Sequence, residues 1–257
     1  MPELPDLQVF RRNLTKTFVG KTLKQIKVPV TKKLNVTVPK LKGALEDQKL
    51  ASITRVGKEL HFEFANGNIL ALHLMLRGKL FAFEETNEEK YTIIELHFSD
   101  GSGLAMTDFQ GQATPTLNPE EREAPDALSV TLTFLKELLG KSKAVIKNVL
   151  LDQDAIRGIG NAYADEILWD AGISPFSVSN KVPSDKVKDL HKSIKNVLQS
   201  AEKSILKTHP DIIAGEVRDF MLIHNSKKEK SPTGATIEVK AVGARKTYYT
   251  KEQTLYK

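Results

Sequence analysis

The spacing of apolar residues changes its period once along the chain, and this change limits the folds that the sequence can form. Up to residue 113, apolar and polar residues alternate as in half-buried strands, most clearly in Leu60–Phe64 and Ile93–Phe98. The dipeptides Asn66–Gly67 and Asp100–Gly101, which are typical of hairpin turns, follow these two segments. Short strands separated by tight turns predict an N-terminal β domain, built as a sandwich or a barrel.

Helical periodicity governs the second half of the chain. Three prolines and a charged cluster in Ala113–Pro125 disfavour continuous regular structure and indicate a linker. Beyond it, a helical stripe is formed by Val187, Leu190, Ile194, Val197, Leu198, Ala201 and Ile205. Ser184 follows Pro183 and is expected to be the N-cap of this helix, and Arg11–Phe18 is expected to belong to an earlier helix. The second domain is therefore predicted to be mainly helical.

Composition excludes several kinds of site. The chain has no cysteine, which rules out disulfides, thiolate nucleophiles and cysteine-bound zinc. Its six histidines show no HxxxH or HxH spacing, so no metal is expected. No apolar run approaches the roughly 18 residues that cross a bilayer, and the N-terminus lacks the pattern of a signal peptide. We therefore expect a cytoplasmic protein that does not bind membranes.

Positive charge is concentrated at the C-terminus. The net charge is +6, and residues 226–257 contain eight Lys or Arg against three Glu. A basic surface of this kind fits binding to nucleic acid, and a solvated basic tail is the competing interpretation. Tyr248, Tyr249 and the strand-like run Thr236–Val242 favour a folded hairpin over a tail.

The segment Gly158–Trp169, GIGNAYADEILW, is the most informative local feature. Two glycines precede Asn161, a good N-cap residue, and a helix-forming run follows. Backbone amides at such a helix N-terminus carry the positive end of the helix dipole and bind anions such as phosphate. An ordinary turn that enters a helix explains the glycines at least as well, so this segment alone does not decide between the two.

The N-terminal sequence MPELPD contains a candidate nucleophile. Met before Pro is normally removed, which leaves Pro2 with a free secondary amine. Such an amine can condense with a sugar aldehyde carbon to give an iminium, and an ordinary α-amino pKa of roughly 7.7–8.0 leaves part of it neutral near pH 7. Glu3 would lie beside it as an acid or an electrostatic stabiliser. An unremarkable terminus is the competing interpretation, because chains that begin with Met-Pro are common.

Taken together, these regions resemble the formamidopyrimidine-DNA glycosylase / endonuclease VIII family over essentially the whole chain. That family starts MPELPE, carries a central signature very close to GIGNAYADEILW, and ends in a β-hairpin finger. The resemblance implies an α+β multidomain fold with an N-terminal β-sandwich, a helix-two-turn-helix domain and, because cysteine is absent, a zincless finger. The expected boundaries are 1–113 for the sandwich, 114–127 for a linker, 128–225 for the helix-two-turn-helix domain and 226–257 for the finger.

The resemblance also assigns DNA contacts to single residues. Lys58, in RVGKELHFEF, and His73, in HLMLRG, match family residues that contact phosphate near the lesion. Asn161 matches the helix-two-turn-helix asparagine on the same backbone stretch, and Arg245 matches the finger arginine that grips the phosphate beside the flipped nucleotide. Outside the family context, each of these is better explained as a surface polar residue or, for His73, as a core histidine.

The activity that the resemblance implies is base-excision repair. Pro2 and Glu3 match the family's catalytic amine and carboxylate, and Lys58 completes the expected catalytic set. Pro2 would attack C1′ of a flipped nucleotide, release an oxidised or ring-opened base and cut the strand by β/δ-elimination. The protein would thus be a DNA glycosylase with AP lyase activity that acts on damaged double-stranded DNA, needs no cofactor and is a monomer.

Two alternatives remain at this stage. A catalytically silent member of the family would bind damaged DNA through Lys58, Arg245 and the basic C-terminal region without turnover. An RNA-binding protein would use the same basic region and would have to bind RNA more tightly than kinked or damaged DNA. No residue favours this second alternative.

Four departures from the family pattern affect these expectations. Asp6 stands where the family has Glu, so a hydrogen bond from this shorter carboxylate to the N-terminal region is expected to need backbone movement or a water. The four cysteine positions of the finger hold Ser231, Gly234, Thr250 and Gln253. Leu76 and Phe109, with Arg77 as a further candidate, are expected to fill the gap left by the flipped base. The segment MLIHNSKKEKSPTG is short for the loop that caps 8-oxoguanine, which favours oxidised pyrimidines, ring-opened purines or abasic sites.

Overall fold

The computed structural model describes all residues from 1 to 257, and they form two compact units. The first unit comprises residues 1–121 and 205–216, and the second comprises residues 122–204 and 217–257. None of the helices combines the length and the low charge that crossing a membrane requires.

The first unit contains two four-stranded antiparallel sheets that share one hydrophobic core, which confirms the predicted β-sandwich. Its strands are β1 (Leu23–Lys27), β2 (Leu50–Val56), β3 (Glu59–Phe64), β4 (Ile69–His73), β5 (Lys79–Glu84), β6 (Thr92–Phe98), β7 (Ser102–Thr107) and β8 (Thr114–Leu117). One sheet has the order β2-β3-β4-β8 and the other the order β1-β6-β7-β5. Two helices, α1 (Leu4–Phe18) and α2 (Val38–Leu45), complete the unit.

Alternation of side chains explains how the strands build this core. In β3, Leu60, Phe62 and Phe64 are buried while the residues between them are partly or fully exposed, as a period of two requires. Gly67 and Gly101 adopt φ angles of +81° and +89° in the turns that follow β3 and β6, which confirms the two predicted hairpin turns. The predicted early helix is part of α1.

The segment Thr114–Leu117 was expected to lie in a linker and instead forms β8. Pro115 pairs with Leu72 of β4, although proline cannot donate a backbone hydrogen bond. This is possible because β8 is the edge strand of its sheet, where a missing N–H faces no further strand. The proline-rich pattern therefore predicted the end of the sandwich slightly too early.

The second unit is mainly helical and ends in a two-stranded hairpin, as predicted. Its helices are α3 (Leu132–Lys141), α4 (Ile146–Leu151), α5 (Asn161–Asp170) and most of α6 (Ser184–Thr208), whose last residues from 205 belong to the first unit. The hairpin consists of β9 (Glu238–Val242) and β10 (Arg245–Tyr249).

The start of α6 differs by one residue from the prediction. The N–H of Val187 bonds to the carbonyl of Pro183 at 2.9 Å, which gives Pro183 the N-cap position and makes Ser184 the first helical residue. The predicted apolar stripe is otherwise buried, with the exception of the half-buried Val197.

Candidate active site

Pro2 and Glu3 lie at the start of α1 in the first unit, and both are buried. Glu3 is the N-cap of α1 and forms a reciprocal capping box with Asp6. Asp6 Oδ2 accepts the backbone N–H of Glu3 at 2.9 Å, and the Glu3 carboxylate accepts the N–H of Asp6. The shorter side chain of Asp6 therefore reaches the N-terminal region directly, without the bridging water that was considered from the sequence.

Pro2 forms part of the wall of a cavity of about 290 Å³ in the first unit. The other residues that line it are Leu76, Arg77, Gly78, Lys79, Gly215 and Glu216. The ammonium group of Met1 forms an ion pair with the Glu216 carboxylate. The amine of Met1 is thus held at the cavity wall by Glu216. The nitrogen of Pro2, which becomes the terminal amine when Met1 is removed, is the next nitrogen along the chain.

The loop at residues 74–78 presents Leu76 at the edge of this cavity. Gly78 donates to the carbonyl of Leu74 at 2.8 Å, and a Cβ atom at position 78 would lie 2.3 Å from that oxygen. Only glycine fits this close approach. Met75 has φ +52°, and Leu76 and Arg77 are exposed, so the closed loop presents an apolar and a basic side chain to solvent.

Asp108 shapes the loop that contains Phe109, the second residue expected to fill the gap left by a flipped base. Sequence reasoning missed this role of Asp108. Its carboxylate is buried and accepts three backbone N–H groups, from Gln110 at 2.9 Å and from Gln112 and Ala113 at 2.8 Å each. Phe109, between Asp108 and Gln110, is 60% exposed. An Asp two residues before a loop amide is a common turn signal, and it could have indicated this arrangement.

Lys58 and His73 lie at the same end of the β2-β3-β4-β8 sheet. Lys58 is half-buried in the turn between β2 and β3, and the next residue, Glu59, pairs with His73 in the β3–β4 ladder. The Nδ1 atom of His73 accepts the N–H of Met75 at 3.0 Å. In the neutral ring, Nε2 then carries the proton and is the atom that can donate to an anion.

Arg55 connects the turn that contains Lys58 to α1, the helix that directly follows Pro2 and Glu3. Its guanidinium donates to the carbonyl of Gly57 at 2.9 Å and to Gln8 Oε1, in α1, at 3.0 Å. The position of the Lys58 turn is therefore coupled to α1 within the first unit. Sequence reasoning did not single out Arg55, because a single arginine in a strand gives no signal for such a contact.

Asn161 and Arg245 lie in the second unit, on α5 and at the first residue of β10. Gly160, with φ −118° and ψ −170°, is the N-cap of α5, so the prediction that Asn161 is the N-cap is wrong by one residue. Glycine is one of the residues that are preferred at the N-cap position, although it has no side chain to bond to the first backbone amides of the helix. The Asn161 side chain instead donates to the carbonyl of Lys246 at 2.9 Å, and Arg245, next to Lys246, is exposed.

A fully buried ion pair anchors β10 on the helices of the second unit. Lys147 Nζ lies 2.6 Å from Asp165 Oδ1 and donates to Thr247 Oγ1 at 2.8 Å. Asp165 Oδ2 accepts the N–H of Tyr248 at 2.9 Å and lies 2.7 Å from His224 Nδ1. Buried charges are stable only when they are paired and hydrogen-bonded, so this network fixes the strand that carries Arg245.

Glu166, the neighbour of Asp165 on α5, holds the segment that leads to the hairpin. Its carboxylate accepts the backbone N–H groups of Leu222, Ile223 and His224 at 2.9, 2.8 and 2.7 Å. The acidic pair in the GIGNAYADEILW signature therefore orders two chain segments. Sequence reasoning treated these acids as part of an ordinary helix.

The four finger positions that correspond to cysteines in zinc-containing relatives form two hydrogen-bonded turns. Ser231 O accepts the N–H of Gly234 at 2.9 Å, and Ser231 Oγ contacts the hydroxyl of Thr233 at 2.7 Å. In the second turn, Gln253 Oε1 accepts the N–H of Thr250 at 2.8 Å. Polar side chains thus close the two turns directly, which agrees with the zincless type of finger.

The hairpin is also closed by a polar contact across its strands. The hydroxyl of Tyr249 donates to Glu238 at 2.7 Å, and Lys251 lies 3.1 Å from the same carboxylate. The hydrogen bond from Tyr249, together with Lys251, lowers the pKa of Glu238 from its ordinary value. Burial and the contact with Glu238 raise the pKa of Tyr249, so the ring stays neutral.

Comparison with known proteins gives matches to both units. The profile described as "Formamidopyrimidine-DNA glycosylase N-terminal domain" matches residues 1–114, and the one described as "Formamidopyrimidine-DNA glycosylase H2TH domain" matches residues 123–209. A formamidopyrimidine-DNA glycosylase of Lactiplantibacillus plantarum is 34% identical over 215 residues, which cover 79% of this chain and 78% of the relative.

Two solved structures of the Lactococcus lactis protein Fpg are similar over nearly the whole chain. One is a complex with DNA that contains an abasic site, at a TM-score of 0.87 and 27% identity, and it covers 97% of this chain and 98% of that chain. The other is a complex with DNA that contains FAPY-dG, at a TM-score of 0.85 and 28% identity, and it covers 96% of this chain and 98% of that chain.

Proposed function

The chain belongs to the formamidopyrimidine-DNA glycosylase family, and on that premise we propose that it is a DNA glycosylase and AP lyase. Its substrate is double-stranded DNA with an oxidised or ring-opened base or an abasic site. It removes the damaged base and then cuts the strand at the same sugar. Pro2, Glu3 and Lys58 form the catalytic set.

The placement of Pro2 is the observation that carries this proposal. Pro2 is buried at the wall of a cavity whose other residues include Leu76 and Arg77, and the ammonium of Met1 lies at Glu216 beside it. Removal of Met1 converts the Pro2 nitrogen from an amide into a secondary amine. The ordinary pKa of an α-amino group, roughly 7.7–8.0, keeps part of this amine neutral and nucleophilic near pH 7.

The reaction starts when the Pro2 lone pair attacks C1′ of a nucleotide flipped into the site. The base leaves with the electrons of the glycosidic bond and takes up a proton. Once the Pro2 nitrogen has lost its proton, its lone pair opens the C1′–O4′ bond of the sugar, O4′ takes up a proton, and an iminium forms. The iminium acidifies the hydrogens at C2′, so a base can remove one of them and the 3′ phosphate leaves as the first strand break. Loss of the 5′ phosphate by the second elimination removes the sugar.

Glu3 has the role of proton carrier and electrostatic stabiliser next to the nucleophile. It is fixed in place by the capping box with Asp6, so its carboxylate does not depend on substrate for its orientation. A negative charge at the N-terminus of α1 is favoured by the helix dipole. The same charge stabilises the positive charge that develops on the sugar during base loss.

Two sets of cationic and amide groups contact the phosphates around the lesion. Lys58 and His73, at one end of a sheet, bind the backbone beside the flipped nucleotide in the first unit. In the second unit, Asn161 and Arg245 contact backbone phosphates, and the hydrogen bond from Asn161 to the carbonyl of Lys246 holds Asn161 beside the strand that begins with Arg245. Phosphate contacts of this kind position the DNA without reading its sequence.

Ring-opened purines, oxidised pyrimidines and abasic sites are the favoured lesions. The similar Fpg protein from Lactococcus lactis has been solved in complex with DNA that contains FAPY-dG and in complex with DNA that contains an abasic site. In this chain the segment before the finger is short, and Glu166 ties the amides of Leu222, Ile223 and His224 to α5. The shortness of this segment and its attachment to α5 favour these lesions over an intact 8-oxoguanine.

Borohydride reduction of the enzyme on a duplex with one abasic site tests the proposal. The protein with Met1 removed is expected to form a covalent adduct with the DNA. A matched protein with an N-terminal extension keeps the Pro2 nitrogen as an amide and is expected to bind the duplex without forming the adduct. Tight binding without an adduct in both proteins would identify a silent DNA-binding member of the family instead.

A further inference from the structure

Three loops in the first unit expose large apolar side chains, and only two of these side chains have a role expected from the sequence. Leu76 is 65% exposed and Phe109 is 60% exposed, and both were expected to fill the gap left by a flipped base. Tyr91 is 67% exposed, more than either of them, and has no assigned role. A single exposed ring is ordinary on a protein surface, but several exposed apolar residues that lie close together mark a binding surface.

The strand register places these three residues at the same end of the β1-β6-β7-β5 sheet. Lys79, the first residue of β5, and Thr92, the first residue of β6, both pair with Thr107, the last residue of β7. Leu76 precedes β5, Tyr91 precedes β6 and Phe109 follows β7. We refer to residues 74–78, Tyr91 and residues 108–112 together as the sheet-end loops.

The backbone at Tyr91 is fixed in a conformation that disfavours its side chain. Tyr91 has φ +60°, in the left-handed region that a bulky residue rarely adopts. Its carbonyl accepts the N–H of Asp108 at 2.9 Å, and Asp108 is the residue whose carboxylate builds the Phe109 loop. Asp108 therefore contacts both segments, because its carboxylate shapes the Phe109 loop and its backbone N–H bonds to Tyr91. Strained residues that the surrounding structure holds in place are concentrated at functional sites.

We propose that Tyr91 binds DNA by stacking its ring on a base that the kink at the lesion exposes, and that it acts there with Leu76 and Phe109. This inference rests on the proposed function, because it takes the lesion-bearing duplex as the ligand. The surface is continuous with the Pro2 cavity through Leu76, which belongs to both. Exposed Arg77 and Lys79 beside Leu76 give the positive charge that phosphates need.

Stacking explains why an aromatic residue lies at this position. Every base offers a π face, so a ring binds an unstacked base without selecting its identity. Phe109 supplies one ring and Leu76 an aliphatic wedge, and an arginine is absent from the loop at residues 108–112. Tyr91 adds a second ring on the neighbouring strand end, which supplies a further face for contact with an exposed base.

Equilibrium binding to a duplex with a tetrahydrofuran abasic analogue tests the role of Tyr91. Tyr91→Ala is expected to weaken binding about tenfold, because a base–aromatic stack contributes that order of affinity. Tyr91→Phe keeps the ring and is expected to bind like the wild type. The dependence of affinity on salt is expected to be the same in all three proteins, because the ring displaces no counterions.

Tyr91→Gly separates the contact with DNA from the stability of the fold. Glycine adopts φ +60° without strain, so this variant is expected to melt at the wild-type Tm or above it while binding as weakly as Tyr91→Ala. Wild-type affinity in both Tyr91→Ala and Tyr91→Gly would overturn the proposal, and so would an equal loss in Tyr91→Phe. Borohydride trapping of the wild type on an abasic site tests the catalytic function separately, because its outcome does not depend on Tyr91 binding.

Discussion

The finger and the sheet-end loops were both expected from the sequence to depart from the family pattern, and they differ in whether contacts inside the protein satisfy their side chains. At the positions expected to correspond to zinc ligands, Ser231 and Gln253 close their turns through hydrogen bonds, and Tyr249 bonds to Glu238 across the hairpin. The sheet-end loops expose Leu76, Tyr91 and Phe109 instead. The finger is thus closed by contacts within the fold, whereas the sheet-end loops leave their large side chains exposed, as we expect of the DNA-binding surface proposed above.

The two regions also differ in how charge is used. Lys147 and Asp165 are both fully buried and satisfy each other beneath the hairpin. In the sheet-end loops, the buried carboxylate of Asp108 is satisfied by backbone amides, so its charge shapes a loop and binds no second side chain. If this comparison is right, substitutions in the finger network change mainly stability, and substitutions in the loops change mainly the binding of DNA.

The largest effect is expected from Lys147→Met, which leaves Asp165 as a buried charge without its cation. Breaking a buried ion pair from one side costs roughly 3–5 kcal/mol of the free energy of unfolding. Chemical denaturation of this variant is therefore expected to show a large loss of stability. The exposed Lys141→Met is the control, with an expected change of about 0.5 kcal/mol or less. Equal stability of the two variants would contradict the structural role of the buried pair.

A smaller effect on stability, with a clear effect on DNA binding, is expected from Asp108→Ala. The substitution removes the acceptor of three backbone amides and leaves the loop without its internal support. A loss of about 1–3 kcal/mol in the free energy of unfolding is expected. Binding to an abasic-analogue duplex should weaken as well, because the loop that presents Phe109 loses its shape, while the backbone N–H of residue 108 still bonds to the carbonyl of Tyr91. Binding at wild-type affinity would show that the loop needs no preformed shape.

Gln253→Ala tests the replacement of zinc by hydrogen bonds in the finger. The side chain accepts from Thr250 N and donates to the carbonyl of Ile173, both at 2.8 Å. Loss of these two bonds is expected to reduce the free energy of unfolding by about 1–2 kcal/mol. The exposed Gln199→Ala on α6 serves as the control for the loss of an amide. An unchanged unfolding midpoint in Gln253→Ala would mean that the turn is held by its backbone alone.

The smallest effect is a pH dependence in the hairpin. The pKa of Glu238 is lowered by the hydrogen bond from Tyr249 and by Lys251, so the folded state favours the ionised carboxylate. This contribution to stability is present above the ordinary pKa of 4.5 and is lost as the pH falls through the lowered value. Glu238→Gln should remove this part of the acid dependence of the unfolding midpoint. The same acid profile in both proteins would exclude the contact as a source of stability.

Much of the architecture could be predicted from local patterns. Alternation in β3 and β6, the turns at Gly67 and Gly101, and the C-terminal hairpin are all present as expected. These features depend on the periodicity of neighbouring residues, which a sequence displays directly. The caps of α5 and α6 were each displaced by one residue, because a glycine or a proline can occupy the N-cap position beside a better-known capping residue.

The supporting residues of the site could not be predicted in the same way. Lys147, Asp165 and Asp108 carry charges that a sequence indicates as solvent-exposed, and only the three-dimensional fold brings their partners to them. The strain at Tyr91 is equally invisible in a sequence, because a tyrosine before a strand is ordinary. The resemblance to the family predicts which residues react and bind phosphate, and the fold shows what holds these residues in place.

Mass spectrometry of the borohydride-trapped adduct tests the central claim most directly. After the enzyme is reduced on an abasic duplex and digested, the account predicts that the sugar remnant is attached to the N-terminal peptide, at the nitrogen of Pro2, with Met1 absent. An adduct on a lysine of the same unit, such as Lys58 or Lys79, would contradict the assignment of Pro2 as the nucleophile.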